Sequence, residues 1–213
     1  MKKLIPLFFF CFFLSACAVA DQPAVEKEPE KHEVSTQEKP SIKEYFPLEN
    51  KVYSFAGQGN EFASYKEIFY ETEDGYLPAV VENGGTRILK VYQLTSDGIY
   101  TVYEQPEYYE QKIPPIEQVK DHFFSPKPQL AAPLSNGSGF NSWKIIETDA
   151  KLKLPFGELD HVIILEQKES GDHSTVTSYW APGYGKVKQE FIYTEENGEE
   201  FIVTSELENI NKY

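Results

Sequence analysis

Short strand-like segments separated by tight-turn signals constrain the fold of this chain more than any other feature of its sequence. The intervals between the segments in residues 51–104 are too short for the helices that connect parallel strands, so neighbouring strands should run antiparallel. Asp74-Gly75 and Asn83-Gly84 lie in such intervals, and both dipeptides tolerate the positive φ of hairpin turns. The strands predicted in this half are residues 51–56, 62–71, 76–82, 86–94 and 99–104.

The second half of the chain repeats this alternation of strands and turns. Its run Val162-Ile163-Ile164-Leu165 is apolar on both faces and predicts a central strand that is covered on both sides. The fold class is therefore predicted to be all-β, an antiparallel meander that forms a strongly curved sheet or incomplete barrel. A two-sheet β-sandwich is the alternative. The strands predicted in this half are residues 129–132, 142–148, 151–154, 160–167, 174–181, 186–194 and 199–207.

The segment between these halves, residues 105–128, interrupts the strand pattern with five prolines. Pro115 suits the first turn of a short helix that runs through Val119 to Phe123. A connection of this length predicts either a cover over one end of the sheet or a mobile loop.

The first residues of the chain have the layout of a bacterial export signal. Lys2 and Lys3 precede an apolar stretch, residues 4–14, that is too short to span a membrane as a helix. The residues that close this stretch, Leu14-Ser15-Ala16-Cys17, resemble the lipobox of bacterial lipoproteins. The resemblance implies that the Cys17 thiol receives a diacylglyceryl group and that cleavage makes Cys17 the first residue. The alternative is an ordinary cleaved signal with an incidental cysteine.

Processing at this position changes what the composition implies. Cys11 lies in the signal and Cys17 would carry lipid, so no thiol remains for a disulfide. The formal net charge of −14 becomes −16 without Lys2 and Lys3, which argues against nucleic-acid binding. Residues 18–41 hold three prolines and no aromatic residue, a composition typical of a disordered tether. The predicted divisions are a signal peptide (1–16), lipidated Cys17 with a tether (17–41) and a single β domain (42–213).

One block near the C-terminus combines an aromatic pair, Ala-Pro-Gly and a second glycine: Tyr179-Trp180-Ala181-Pro182-Gly183-Tyr184-Gly185-Lys186-Val187-Lys188. It resembles a motif of poorly characterised lipoproteins of the Firmicutes type, and residues 46–48, 59–61 and 84–86 are similar to other stretches of those proteins. The resemblance implies an envelope address and this fold, and it implies no activity. Pro182 presets its φ for a turn and Gly183 or Gly185 can supply a positive φ, so this block predicts a hairpin turn.

The chain contains no pattern typical of a catalytic, cofactor or metal site. His122, His161 and His173 each follow an aspartate, but neighbouring side chains on a strand point apart, and known zinc-site spacings do not occur. We therefore predict no catalytic residue, no cofactor and no metal ligand. Cys17 is the one predicted site residue, as the point of lipidation.

These features predict a protein anchored through Cys17 to the outer face of the bacterial cytoplasmic membrane. The β domain is expected to be a non-enzymatic binder of an apolar or carbohydrate ligand or of an envelope protein, through the concave face of its sheet. The alternatives are a structural or assembly component of the envelope and, less favoured, a hydrolase that uses acidic residues. The aromatic residues near the proline-rich segment suit either a ligand-binding rim or the core of the domain: Tyr100, Tyr103, Tyr108 and Tyr109.

Overall fold

The computed structural model describes residues 41–168 and 173–213, and twelve β-strands make up most of this part of the chain. The strands are β1 (Lys51–Gln58), β2 (Tyr65–Phe69), β3 (Tyr76–Asn83), β4 (Thr86–Leu94), β5 (Gly98–Gln105), β6 (Lys127–Ala131), β7 (Gly139–Phe140), β8 (Trp143–Leu154), β9 (Gly157–Lys168), β10 (Ser174–Ala181), β11 (Gly185–Thr194) and β12 (Glu200–Lys212). The described residues also form one short helix, α1 (Ile116–Val119), and two 3₁₀ turns, Ile42–Tyr45 and Lys120–His122. None of these helices is long and apolar enough to cross a membrane.

The strand predictions were accurate where turn signals were strong. Predicted residues 86–94 and 174–181 coincide with β4 and β10. Between β2 and β3 the chain reverses at Asp74 and Gly75, whose φ values of 52° and 80° are those that an Asp-Gly turn accommodates. Positive φ at these two residues costs little, so the turn forms where the sequence places it.

Several predicted strand bounds were wrong. Residues 142–148 and 151–154 belong to one strand, β8, whose pairing with β9 shifts register at three places between Ile145 and Leu152. Such irregularities absorb extra residues without ending the strand, so the polar Thr148 and Asp149 do not mark a turn. Strand β2 is shorter than predicted, β12 continues to Lys212, and β7 lies between the predicted strands 129–132 and 142–148, where no strand was predicted.

All twelve strands belong to one antiparallel sheet with the order β6-β5-β4-β3-β2-β1-β12-β11-β10-β9-β8-β7. Strands that are consecutive in sequence pair with each other except β6 and β7, and the last strand returns to pair with the first. The sheet is nearly closed and barrel-shaped. This confirms the predicted all-β meander in an incomplete barrel, and the β-sandwich alternative was wrong.

The core of the barrel is built by residues that alternate along each strand. One buried cluster joins Tyr53 and Phe55 of β1 to Phe69 of β2 and Leu207 of β12. A second cluster lies around Trp180 and joins β5 and β6 to β8, β9 and β10. Strands β6 and β7 are the two ends of the sheet and do not pair with each other. The second cluster bridges the gap between these ends, because its side chains from β5 and β6 contact those from β8, β9 and β10.

Strand β9 is buried on both faces, as its apolar run predicts. Val162 and Ile164 pack in the cluster around Tyr53, while Ile163 and Leu165 pack in the cluster around Trp180. The predicted central position was wrong, because β9 is the third strand from the β7 end of the sheet.

The proline-rich segment covers the outer face of the sheet, which corrects its prediction as a cover over one end or a mobile loop. Tyr108, with 4% of its surface exposed, packs on Val80 of β3 and Leu89 of β4. Ile116 and Val119 of α1 pack on Val91 and Val102. The outward positions of β3, β4 and β5 are therefore apolar because this segment buries them.

Candidate functional site

A cavity of about 250 Å³ opens on the inner face of the sheet. Strands β2, β3 and β4 supply one side of it, β11 and β12 supply the other, and residues 60–63 of the β1–β2 connection complete its lining. Phe62, half of whose surface is exposed, and the exposed Gln189 lie where the cavity meets solvent. Cavities on the inner face of a barrel are common ligand sites.

Glu67 is the buried charged residue of this cavity, with 4% of its surface exposed. It occupies an inward position of β2 between Tyr65 and Phe69, where the alternation of the strand would otherwise place an apolar side chain. Tyr92 Oη donates a hydrogen bond to Glu67 Oε1 at 2.7 Å. This is the one hydrogen bond of the Glu67 side chain within the described residues, so its other oxygen is available to a ligand or to solvent.

Lys186 reaches the same cavity because of a β-bulge. Tyr179 pairs with Lys188 and Trp180 pairs with Lys186, so Val187 is an extra residue in β11. A bulge interrupts the alternation of side chains along a strand. Both Lys186 and Val187 consequently lie on the inner side, where Lys186 lines the cavity and Val187 is completely buried.

The hairpin before Lys186 is held against the start of the domain. Gly183 and Gly185 have φ values of 77° and 79°, which confirms the hairpin turn predicted there. A Cβ atom on Gly185 would lie 3.0 Å from Cγ of Pro47, and the Gly183 N–H donates to the Glu44 carbonyl oxygen at 2.6 Å. These contacts fix the position from which Lys186 enters the cavity.

The two lysines of the cavity have different partners. Lys90 Nζ lies 3.2 Å from Glu104 Oε1 and is neutralised by that carboxylate. Lys186 Nζ donates a hydrogen bond to the neutral side-chain oxygen of Gln189 at 3.3 Å. Lys186 therefore carries a charge that no carboxylate of the described residues neutralises within ion-pair distance.

Burial governs the ionisation of the groups around the cavity. It raises the pKa of Tyr65 and Tyr92 well above the usual value, and the nearby Glu67 carboxylate adds to the effect. Both phenols therefore remain neutral and Tyr92 remains a hydrogen-bond donor. Burial lowers the pKa of Lys186, an effect that Glu67 opposes and Lys90 reinforces.

A second, smaller void of about 20 Å³ lies on the other side of Glu67, Tyr92 and Lys186. Its remaining lining is mostly apolar and includes Phe69 and Trp180. The three polar side chains thus separate the open cavity from the apolar interior of the barrel. A ligand group that enters the cavity meets them at its inner end.

Within the described residues, the histidines and aspartates that the sequence offered as metal ligands do not line the cavity. His161 Nδ1 lies 2.6 Å from Asp149 Oδ1 at the surface rather than beside its neighbour Asp160, which pairs with Lys151. No group of three metal-ligating residues occurs in the ranges 41–168 and 173–213. Cys17, the signal peptide and the tether lie outside the described residues.

The aromatic residues near the proline-rich segment belong to the outer face, away from the cavity. Tyr108 is buried beneath the segment, and Tyr100 and Tyr103 pack with the apolar side chains around α1. Tyr109 remains exposed. Tyr100, Tyr103 and Tyr108 therefore fill a core, as the second of the two interpretations predicts, whereas Tyr109 does not.

Neither Glu67 nor Lys186 was predicted as a site residue from the sequence. A signal for Glu67 exists, since a carboxylate between two inward aromatic residues of an alternating strand breaks the apolar pattern. For Lys186 no such signal exists, because the bulge that turns it inward depends on the pairing of β10 with β11.

Comparison with known proteins adds no named activity. No protein-family model matches the chain, and no curated protein matches it. Among solved structures it is similar to a "putative exported protein with YmcC-like fold" from Bacteroides fragilis, at a TM-score of 0.47 and 11% identity over 79% of this chain and 99% of that one. It is also similar to a "putative lipoprotein" from Parabacteroides distasonis, at a TM-score of 0.41 and 14% identity over 78% of this chain and 98% of that one.

Proposed function

We propose that this protein is a lipid-anchored, extracytoplasmic binding protein whose β domain holds a small polar ligand in the cavity of its barrel. The observation that carries the proposal is a cavity of about 250 Å³ that contains a buried carboxylate with one hydrogen-bond partner in residues 41–168 and 173–213. Burying a carboxylate with a single donor is unfavourable, and a ligand that donates to it would offset that cost. The activity proposed is binding without catalysis.

The location follows from the N-terminal sequence. We propose that Cys17 carries the lipid on the outer face of the cytoplasmic membrane and that residues 18–41 are the tether of a domain starting at residue 42. Two acyl chains hold a protein stably at a bilayer, at about 0.8 kcal/mol for each buried methylene. Cells given labelled palmitate should incorporate it into the wild-type protein and not into Cys17→Ala. Equal labelling of the two would contradict the anchor.

Ligand binding can be tested with two variants of neighbouring residues in β12. Val203 lines the cavity and Ile202 points out to solvent with 43% of its surface exposed. Native mass spectrometry of the full-length protein released from detergent should show a co-purified small molecule in the wild type and in Ile202→Phe. Val203→Phe fills the cavity and should lose it. Equal spectra for the two variants, or a wild-type protein without ligand, would refute binding at this site.

Envelope assembly is the second candidate, and the open edges of the sheet favour it. Strands β6 and β7 each pair on one side only, so their outer edges offer backbone groups to a partner strand. Photocrosslinkers placed along β6 in cells should then capture one defined envelope protein. The proline-rich segment is folded onto the sheet by its buried side chains, so it offers less free surface for this role.

A hydrolase is the least supported candidate. The carboxylates that line the shallow groove near Pro47 already accept hydrogen bonds from the backbone, Glu44 from Ser41 and Glu49 from Thr72. In the main cavity Glu67 is the one carboxylate of the described lining, whereas a two-carboxylate mechanism needs a pair.

A further inference from the structure

The charges that face the cavity do not neutralise each other. Lys90 is paired with Glu104, which leaves Glu67 and Lys186 as the charged groups of the lining without an oppositely charged partner among the described residues. Glu67 is bonded to the neutral phenol of Tyr92, and Lys186 is bonded to the neutral amide of Gln189. No ion pair within 4.0 Å joins Glu67 to Lys186, although both line the same cavity.

This arrangement leaves one anionic and one cationic group separated by space. A carboxylate and an ammonium that could pair directly would usually do so, because each carries a desolvation cost that the other offsets. Here each is hydrogen-bonded instead to a neutral side chain, Glu67 to Tyr92 and Lys186 to Gln189. A ligand with both charges on a short framework could make both missing pairs at once.

We propose that the cavity binds a small zwitterion of the amino-acid class, with its ammonium group at Glu67 and its carboxylate at Lys186. The inference rests on the proposed ligand-binding function and specifies the chemistry of the ligand. The volume of about 250 Å³ suits a molecule of amino-acid or dipeptide size and is below the range typical of larger cofactor sites.

The position of the two residues explains why a ligand with a single charge would bind less well than a zwitterion. An anion at Lys186 would leave Glu67 buried with one donor, and it would add a second negative charge near that carboxylate. A cation at Glu67 would add a second positive charge near Lys186 and Lys90. A zwitterion leaves the net charge of the cavity unchanged and offers an opposite charge to each of the two residues.

The proposal can be tested with three molecules that share one framework and differ in charge. Alanine is a zwitterion, N-acetylalanine has lost the cation and alaninamide has lost the anion. Their dissociation constants for the full-length protein in detergent would be measured by ligand-observed NMR at constant ionic strength, with both enantiomers of each. Alanine should bind at least about tenfold more tightly than either derivative, since each loses one charge-assisted hydrogen bond.

Variants of the two residues assign the roles separately. In Lys186→Met, alanine should lose its advantage over alaninamide, because the carboxylate no longer has a partner. In Glu67→Gln, which keeps an acceptor for Tyr92, alanine should lose its advantage over N-acetylalanine. Lys144→Met removes an exposed lysine of β8 and should behave as wild type.

The outcomes separate this inference from the proposed function. The zwitterion assignment would be overturned if either N-acetylalanine or alaninamide bound as tightly as alanine. It would also be overturned if none of the three molecules bound. The mass-spectrometric test of Val203→Phe against Ile202→Phe does not depend on these probes. A lost co-purified ligand in that test would keep the cavity as a binding site even if the zwitterion assignment fails.

Discussion

The hydrogen bond between Tyr92 and Glu67 allows the polar interior of the barrel to be tested by its effect on stability. Tyr92→Phe removes the hydroxyl that donates to Glu67 Oε1 at 2.7 Å and keeps the ring, which packs against Phe69. The substitution creates almost no cavity. Its cost is therefore that of a buried carboxylate that has lost its hydrogen bond from Tyr92.

A hydrogen bond to a charged group contributes about 1.5–3 kcal/mol, so Tyr92→Phe should lower the free energy of unfolding by about that amount. In a domain of this size, 1 kcal/mol shifts the melting temperature by about 2–4 °C, and the expected fall is roughly 3–12 °C. The double variant Tyr92→Phe with Glu67→Leu should recover most of the loss, because apolar groups then replace both partners. Urea unfolding monitored by circular dichroism would measure all of these values.

Tyr109→Phe is the matched control, since Tyr109 lies in the proline-rich segment with 67% of its surface exposed. It should change the free energy of unfolding by less than about 0.5 kcal/mol. Two results would show that the hydrogen bond does not stabilise the buried carboxylate. One is a loss of unfolding free energy in Tyr92→Phe as small as that in Tyr109→Phe, and the other is a larger loss in the double variant with Glu67→Leu than in Tyr92→Phe alone.

Three further predictions concern the packing of the β domain. Ile116→Ala should cost about 2–5 kcal/mol in urea unfolding, because Ile116 is 2% exposed under the outer cover; a loss below 1 kcal/mol would mean that the cover contributes little. Gly185→Ala should destabilise the domain more than Gly183→Ala in thermal unfolding, since both have positive φ but only the Gly185 Cβ would meet Pro47; equal losses would mean that backbone strain alone decides. Burial raises the pKa of Tyr65 and Tyr92 in the folded protein above its value in the unfolded chain. The contribution of these two residues to the free energy of unfolding is therefore complete below about pH 10, and it is lost at higher pH as the unfolded chain releases the protons. Stability measured from pH 9 to pH 12 should fall less steeply in Tyr92→Phe, and an unchanged slope would contradict this assignment.

The local sequence was sufficient to predict the fold class. Dipeptides such as Asp74-Gly75 fold through contacts between near neighbours, and strands between such turns have no room for crossover helices. The apolar run at Val162 likewise predicts burial on both faces wherever the strand lies. These properties depend on residues close in sequence, so they can be read before any tertiary contact is known.

Tertiary structure decided where the strands meet and what faces the cavity. The pairing of β1 with β12 joins residues about 150 positions apart, and no periodicity in the chain encodes that partnership. The proline-rich segment lies on the outer face because Tyr108 and Ile116 find apolar side chains there, a match that exists only after the sheet has formed. Lys186 faces Glu67 across the cavity because one extra residue in β11 turns its side chain inward. The sequence by itself determined a β meander, and its export signal remains a prediction from the sequence. Long-range pairing created the charged cavity, since side-chain direction at a bulge depends on the neighbouring strand.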